Sequence, residues 1–414
     1  MIGALSKSAL FAPFQIRSFR FQFPADLLVS WGIEMENLVL GWYILVETGS
    51  VLLLSVFWAL QYLGALLAPL FGMAGDRLGH RRMLLTMRFV YACLALTMMT
   101  LAFAGVLHPV EVFVIATAAG LLRQSDQTMR NALVAETMPT DRLMATMGVL
   151  RTTQDSARIA GSLVGAGLFA VFGIGAAYLA VSLFYGCGFL LTFGIGGARR
   201  RVATAGPSIW RDLTDGLSYV WDTPVSLASI WLALLVNLTA FPFTSGLLPY
   251  VARDVYHIDQ TGLGTLVASF ALGSLIGSVT VSVGGRVLRP ARMMIVFALF
   301  WYALLLVFAY MPAPGSARVA LLLAGLAQSL SLVPMSVLLL HSAGEHYRGR
   351  VMGVRTLAIY GVPPGLLIAG GLIGWIGFAA TVSIYCLIGS GLTVAIALRW
   401  RTALWPLSAP ANAR

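Results

Sequence analysis

Long runs without a single charged residue recur from one end of this sequence to the other. Val51–Phe71, Phe89–Leu107, Thr223–Ala252, Gln260–Gly285 and Met293–Ala317 contain no Asp, Glu, Lys or Arg. Thr356–Leu398 is charge-free as well, and is long enough for two helices with a turn near Gly374-Trp375-Ile376-Gly377. About 20 mostly apolar residues cross the hydrocarbon core of a bilayer as one helix. Only 10% of the 414 residues are charged, against about 25% in soluble domains, so lipid is the solvent these segments need. The pattern predicts an all-α integral membrane protein with twelve spans, near 25–46, 51–72, 84–106, 110–135, 143–171, 175–197, 225–250, 261–284, 292–311, 317–341, 352–373 and 376–398.

Loop charges set the expected orientation. The even-to-odd loops and both ends are rich in Arg: Arg77, Arg81 and Arg82; Arg142; Arg199–Arg201 and Arg211; Arg286, Arg289 and Arg292; Arg348 and Arg350; Arg399 and Arg401. The odd-to-even loops are poor in basic residues, with Arg253 and Arg318 as exceptions. Basic loops stay on the cytoplasmic side, which places both termini in the cytoplasm, in a bacterial inner membrane. The formal charge of +11 is read as this bias, and no nucleic-acid partner is expected. The three cysteines, Cys93, Cys187 and Cys386, show neither metal spacing nor a disulfide framework. Met1–Phe23, interrupted by Lys7, Arg17 and Arg20, reads as an amphipathic surface helix rather than a cleaved signal.

The longest internal loop runs from about Gly197 to Asp222 and includes the amphipathic piece Ile209-Trp210-Arg211-Asp212-Leu213. It divides the chain into an N-terminal six-helix half (1–197), a cytoplasmic linker (198–222), a C-terminal six-helix half (223–398) and a cytoplasmic tail (399–414). An internal repeat supports the division. Gly75-Asp76-Arg77 recurs loosely as Gly284-Gly285-Arg286, an offset of 209 (284 − 75), and Met147-Gly148-Val149 as Met352-Gly353-Val354, an offset of 205 (352 − 147). Two parallel six-helix halves are one repeat pattern of secondary transporters.

Between the second and third spans lies Gly72-Met73-Ala74-Gly75-Asp76-Arg77-Leu78-Gly79-His80-Arg81-Arg82. It matches the pattern Gly-x-x-x-Asp-Arg-x-Gly-basic-basic-basic, with His80 in the first basic position. On this motif and the twelve-span layout, the chain resembles the major facilitator superfamily across nearly its full length. It is similar within that superfamily to the exporters grouped with the bacterial enterobactin exporter, through Leu40–Ser50, Arg130-Asn131-Ala132-Leu133, Ala157-Arg158-Ile159-Ala160-Gly161 and Arg348-Gly349-Arg350-Val351-Met352. The resemblance implies that Asp76 contacts the second half near the start of helix eleven and holds the cytoplasmic side closed. Gly72, Arg77, Gly79, Arg81, Arg82, Arg130 and Glu136 complete the expected gate, with Arg77 and Glu136 as local partners of Asp76. The helix-five antiporter pattern Gly-Pro-x-x-Gly-Gly is represented by Gly161-Ser162-Leu163-Val164-Gly165-Ala166, without its proline.

Ionisable residues inside spans are costly and mark functional or paired positions. Helix one carries Asp26, Glu34 and Glu36; helix four carries Arg123, Asp126 and Arg130; helix five carries Arg151, Asp155 and Arg158. Glu34 and Glu36 are about 200° apart on a helical wheel, so both cannot face one cavity, whereas Asn37 shares the Glu34 face. Glu34, Asp126 and Asp155 are the expected proton-coupling acids, and Asp26 is expected to cap the helix at the interface. The two Arg-Asp-Arg stripes are open to two roles, a fixed salt-bridge lattice or a path for an anionic substrate. Glu34, Asn37, Arg123, Arg158, Asn237 and Tyr360 are the expected substrate-binding residues, and Arg130 is expected to pair with loop acids.

The reading that follows is a monomeric secondary transporter, with the bilayer and a small-molecule substrate as partners. It exports small amphipathic drug- or siderophore-like molecules by alternating access and proton antiport. An importer or lipid-type flippase of the same fold, and a non-transporting scaffold or sensor, are the alternatives. Lys7 is the single lysine, so no Gly-x-x-x-x-Gly-Lys-Ser/Thr phosphate loop exists. No nucleophile–base or metal-ligand constellation stands out, so neither an enzyme, a metal site nor a cofactor is expected, and the proton gradient is the driving force.

Overall fold

The computed structural model describes residues 12–196, 209–284, 289–343 and 347–405. The Arg199–Arg201 triplet, Gly285-Arg286 and Glu345-His346 lie outside the described residues, and so does the side chain of Arg151. Helices account for nearly everything described, and no strand occurs among these residues.

The first six spans follow one another with short connections. Helix α1 is Arg17–Thr48 and ends at Gly49, whose left-handed backbone (φ +62°) lets its N–H donate to Leu45 O. The first span therefore begins at Arg17, and residues 17–23 continue it rather than forming a separate surface helix. Phe14, Phe19 and Phe23 explain the extension, because their rings pack edge-on at 5.0–5.1 Å over Val134, Met138 and Leu150. Helix α2 has two segments, Val51–Leu60 and Gly64–Leu78. Helix α3, His80–Phe103, follows after the single residue Gly79 (φ +94°). A connection this tight needs a positive φ that glycine adopts without strain, which gives the motif glycine its physical meaning. Helix α4 is Pro109–Thr137. The helical run Thr140–Thr192 breaks at Gly173 (φ +80°) into α5 (140–172) and α6 (174–192). Gly161 and Gly165 of α5 lie against Trp31 and Met35, and Gly188 of α6 against Val29, so α5 runs along α1 and α6 returns beside it.

An amphipathic helix α7, Ile209–Asp222, precedes the second set. The chain then bends by 110° into α8, Pro224–Thr239. Beyond Thr239 the seventh span continues through wide turns at Pro242–Gly246 and Val251–Val255, which begin where Pro242 lacks an N–H to donate. Helices α9 (Gln260–Gly284), α10 (Pro290–Ala309) and α11 (Pro314–Ser342) follow. Helix α12 is Arg348–Leu357, tightens at Ala358–Gly361 and resumes as Val362–Ile376. Gly377 (φ +83°) joins it to α13, Phe378–Arg399. The spans are thus α1–α6 and α8–α13, the twelve expected.

By length and composition alone, eight of the described helices qualify as spans. The 40-residue run Thr153–Thr192 among them holds two spans, divided at Gly173. Helix α8 qualifies only together with α7 across their 110° bend, and α1 and α4, which carry the acids and arginines of the site described below, fall outside the count.

The chain divides into two compact units, Met1–Ala205 with Ala252–Ala268, and Gly206–Val251 with Ser269–Arg414. The same backbone device recurs in each. In the first unit, a methyl group on Gly64 of α2 would collide with the carbonyl oxygen of Gly120 in α4, and one on Gly120 would come 2.8 Å from Gln61 Cα. In the second, a methyl on Gly273 of α9 would strike Leu322 O of α11, and one on Gly325 would strike Phe270 O. The offsets are 209 (273 − 64) and 205 (325 − 120), and the turn glycines repeat at 204 (377 − 173). Small residues replace the hydrophobic drive that lipid-solvated helices lack, because they let backbones touch.

Gly64→Val and Gly273→Val are each expected to destabilise the purified protein by about 1–3 kcal/mol through overpacking. Gly167→Val, at a position with open space around its α-carbon, is expected to leave thermal unfolding in detergent unchanged.

Candidate functional site

The first unit gathers its buried charges into two layers along α1. The layer nearer the Gly72–Arg82 run is built on Asp26. Arg88 of α3 donates to Asp26 Oδ1 and to Thr192 Oγ1 of α6. Arg130 of α4 lies 2.5 Å from Asp126 Oδ2 and 3.8 Å from Asp26 Oδ1, and donates to Ser30 Oγ at 2.9 Å. Gln22 returns a hydrogen bond to the Arg130 carbonyl at 3.2 Å. Gln22, Asp26, Arg88, Asp126 and Arg130 are all buried. Two acids meet two arginines, and four helices are tied at one level.

The structure corrects two expectations here. Asp26 is not an interfacial cap but a buried carboxylate, because Arg88 neutralises it from α3. Arg130 does not reach for loop acids, because Asp126, one turn away, and Asp26 already surround it.

The second layer lies about 12–15 Å further along α1, given a rise of about 1.5 Å per residue. Glu36 is buried and accepts hydrogen bonds from Tyr185 at 2.8 Å, Tyr178 at 3.4 Å and Arg123 at 3.1 Å. The other arm of Arg123 donates to Asn37 Oδ1 at 2.6 Å. Glu34, on the opposite side of the helix, meets Arg158 of α5 at 3.9 Å. That contact is loose. The Glu34 and Arg158 side chains are 23% and 43% exposed, against 4% and 15% for Glu36 and Arg123. Gly161, one turn past Arg158, brings α5 against α1: a methyl there would sit 3.0 Å from Glu34 Cβ and 3.1 Å from Trp31 O.

The gate residues cluster at the α2–α3 turn. Asp76 and Arg77 are exposed in the last turn of α2, and Gly72 has open space around it. His80, at the start of α3, lies 3.5 Å from Asp76 Oδ1 and 2.7 Å from Glu136 Oε1. The expected local link to Glu136 therefore runs through His80 rather than directly from Asp76. Arg81 donates to Phe193 O at 2.6 Å, placing a cation on the carbonyl end of α6, where the helix dipole favours it. Arg82 is exposed.

The other expected residues are dispersed. Asp155 is buried on α5. Asn237 and Tyr360 are half-buried in the second unit, Asn237 on α8 and Tyr360 in the tightened turn of α12.

A family model, the Major Facilitator Superfamily, matches residues 23–368. The chain belongs to this superfamily. It is a multi-pass membrane transporter. Curated relatives include multidrug efflux pumps named Tap. The one from Mycolicibacterium fortuitum is 26% identical over 373 residues, covering 86% of this chain and 89% of the relative. The one from Mycobacterium tuberculosis (strain ATCC 25618 / H37Rv) is 26% identical over 372 residues, covering 86% and 87%. Among solved structures, a D-xylose-proton symporter superposes with a TM-score of 0.72 at 13% identity, covering 91% of this chain and 95% of that one. A bacterial homolog to the human lysosomal transporter Spinster gives 0.72 at 12%, covering 95% and 99%.

Set in the superfamily fold, Glu36, Arg88, Tyr178 and Tyr185 were not singled out from the sequence, although Glu36 was weighed against Glu34. Arg88 had a signal, since it is an arginine inside the predicted span 84–106. The tyrosines had none, because aromatic residues in spans are commonplace.

Breaking a buried pair on one side leaves an uncompensated charge, at about 3–5 kcal/mol. Asp26→Asn and Arg88→Met are each expected to destabilise the protein on that scale. The double variant is expected to recover part of the loss, read from thermal unfolding of all four proteins in one detergent.

Proposed function

We propose that this transporter exports small amphipathic molecules from a bacterial cell across its inner membrane, by alternating access coupled to proton antiport. The observation that carries the reading is the loose Glu34–Arg158 pair. The charges around Asp26 and Glu36 are buried and multiply hydrogen-bonded, so moving them would leave several groups unsatisfied. Glu34 and Arg158 have one long contact and partial exposure, so either partner can be exchanged at little cost. Deprotonated Glu34 can exchange Arg158 for a donor group on a substrate. When Glu34 takes a proton its attraction for that group is lost and the substrate is released; when the proton leaves, Glu34 and Arg158 recombine. Substrate and proton thus compete for one carboxylate, which is the chemical requirement of antiport. Asn37 and Arg123, fixed to each other beside this pair, form the wall against which the substrate rests.

Similarity to pumps named for multidrug efflux supports export of drug-like molecules. A catecholate siderophore is the narrower substrate that the sequence resemblance points to. The arginine-rich loops and both termini face the cytoplasm in this reading, since basic loops stay inside. The Asp76–His80–Glu136 cluster then lies at the cytoplasmic mouth, with Asp76 exposed for contact during the cycle. Asp126 and Asp155 are buried, and Asp126 is committed to Arg130, so Glu34 carries the exchanged proton.

Cells making wild type are expected to accumulate less of at least one compound in a panel of fluorescent cations, amphipathic anions and a catecholate siderophore. An uncoupler should abolish the difference. Glu34→Gln should raise accumulation to the level of cells lacking the protein, while leaving the amount of protein in the membrane unchanged. Undiminished export by Glu34→Gln would remove Glu34 from the mechanism.

A further inference from the structure

In the second unit, α8 and α13 enclose a groove of about 390 Å³. Each helix lines it with one stripe. The α8 stripe runs from Trp231 to Leu238 at i, i+3, i+4 and i+7, and the α13 stripe runs from Leu392 through Ala395 to Arg399 at the same spacing. Residues so spaced share one face of a helix. Ala395, small and in the middle of its stripe, leaves the space between the two helices. Trp231 and Leu392 are exposed, so the groove opens outwards. As an odd-numbered and an even-numbered span, α8 and α13 run antiparallel, which puts Arg399 at the Trp231 end. Beyond Trp400 the chain turns into the short helix Arg401–Leu404, which packs against α8 and buries Leu404. That turn closes the groove below Arg399.

The lining is apolar along its length and cationic at one end. No carboxylate lines the groove, and the sequence from Arg399 to Arg414 contains neither Asp nor Glu. The Arg399 guanidinium stacks on Trp400, 5.6 Å from the ring centre. Stacking uses the flat face of the cation and leaves its N–H edge for an acceptor. An arginine that only anchors a helix end can stand anywhere around the helix, whereas this one completes the stripe that lines the groove. A planar guanidinium holds a phosphate by parallel bonds. Trp231 and Trp400 beside it suit the level where headgroups meet hydrocarbon. From Trp231 to Leu238 the slot is about 10 Å long, at about 1.5 Å per residue. One leaflet of hydrocarbon is about 15 Å deep, half of a core of about 30 Å. A slot of that length, open to lipid and ending in a phosphate-binding cation, complements an acyl chain beneath an anionic headgroup.

We infer that the α8–α13 groove binds one anionic phospholipid, with an acyl chain along the two stripes and the phosphate on Arg399. Basic pockets between spans are suited to such headgroups. The orientation proposed above assigns the lipid to the cytoplasmic leaflet, and the site does not depend on what is transported. A lipid seated there braces α8, which follows the 110° bend from α7, against α13. Binding to the folded protein alone raises its unfolding temperature. A zwitterionic lipid presents the same chain and phosphate but brings a second cation towards Arg399, so it binds more weakly. In the sequence Arg399 reads only as a basic residue at the end of the last span. The stripe spacing becomes meaningful once α8 is known to lie opposite.

The test uses the delipidated full chain in a neutral detergent, titrated with dioleoyl phosphatidylglycerol, dioleoyl phosphatidylcholine or glycerol 3-phosphate. Native mass spectrometry counts bound lipid, and thermal unfolding reads its effect. Wild type is expected to bind one phosphatidylglycerol about tenfold more tightly than phosphatidylcholine, the scale of one charge-assisted hydrogen bond, and to unfold at a higher temperature when it is bound. Glycerol 3-phosphate, which has the headgroup charge without the chains, should give no protection. Arg399→Gln should erase the preference between the two lipids, and Arg399→Lys, which keeps the charge but not the fork, should retain part of it. Ala395→Phe fills the slot and should weaken both lipids together, which serves as the second variant if Arg399→Gln does not fold. Arg401→Gln, outside the groove lining, should leave the preference unchanged. A tenfold preference intact in folded Arg399→Gln overturns the inference, as does equal binding of the two lipids by wild type. So does an equal loss in Arg401→Gln and Arg399→Gln, which would assign the binding to the basic surface at large, and so does protection by glycerol 3-phosphate alone.

Discussion

The Asp26 carboxylate accepts from Arg88 and lies beside Arg130 in a space closed to water, and the arrangement of the first unit follows from that fact. A charge inside a low-dielectric bundle must be paired and hydrogen-bonded or it costs several kcal/mol. Asp26 on α1, Arg88 on α3, Asp126 and Arg130 on α4, and Thr192 on α6 therefore share one level. Their pairing fixes the register of those helices in a medium where apolar side chains alone give no preference for protein over lipid. Around that level, glycine contacts such as Gly64 against Gly120 supply close packing, and the charges supply position.

The second level shows what the first makes possible. Because Glu36 is held by Tyr178, Tyr185 and Arg123, α1 cannot rotate freely, and Glu34 is kept pointing towards α5. The Gly161 contact holds α5 close enough for Arg158 to approach Glu34 but at a distance, 3.9 Å, that permits exchange. One pair is loose because its neighbours are not. A chain with fewer fixed charges would have no frame in which a single carboxylate could respond to protonation in isolation.

Much of this was legible in the sequence, for a physical reason. Lipid imposes a length and a composition on each span, so the twelve segments and the turn near Gly377 could be read from apolar runs. The glycine at each one-residue turn could be read because only glycine accepts those backbone angles readily. The charged stripes on α4 and α5 were visible as exceptions to an apolar background. Their partners were harder to see. A helical wheel gives the direction of Glu34 and Glu36 but not which neighbour each direction meets. The α4 stripe meets Asp26 through Arg130 and Glu36 through Arg123, while Arg158 of the α5 stripe meets Glu34. Arg88 lay inside the predicted span 84–106 but was passed over, because the charge-free run of that span begins one residue later at Phe89. The beginning of α1 was misread for a related cause, since Arg17 and Arg20 look like surface residues although the aromatic face between them is buried.

The central claim is that Glu34 exchanges protons while the carboxylates around it stay locked. Infrared difference spectroscopy of the protein in lipid, stepped through pH, tests it most directly. The account predicts a protonated-carboxyl band that grows as pH falls, disappears in Glu34→Gln and persists in Asp126→Asn. A band that survives in Glu34→Gln and vanishes in Asp126→Asn would contradict it, and would move the proton site from the loose pair into the lattice.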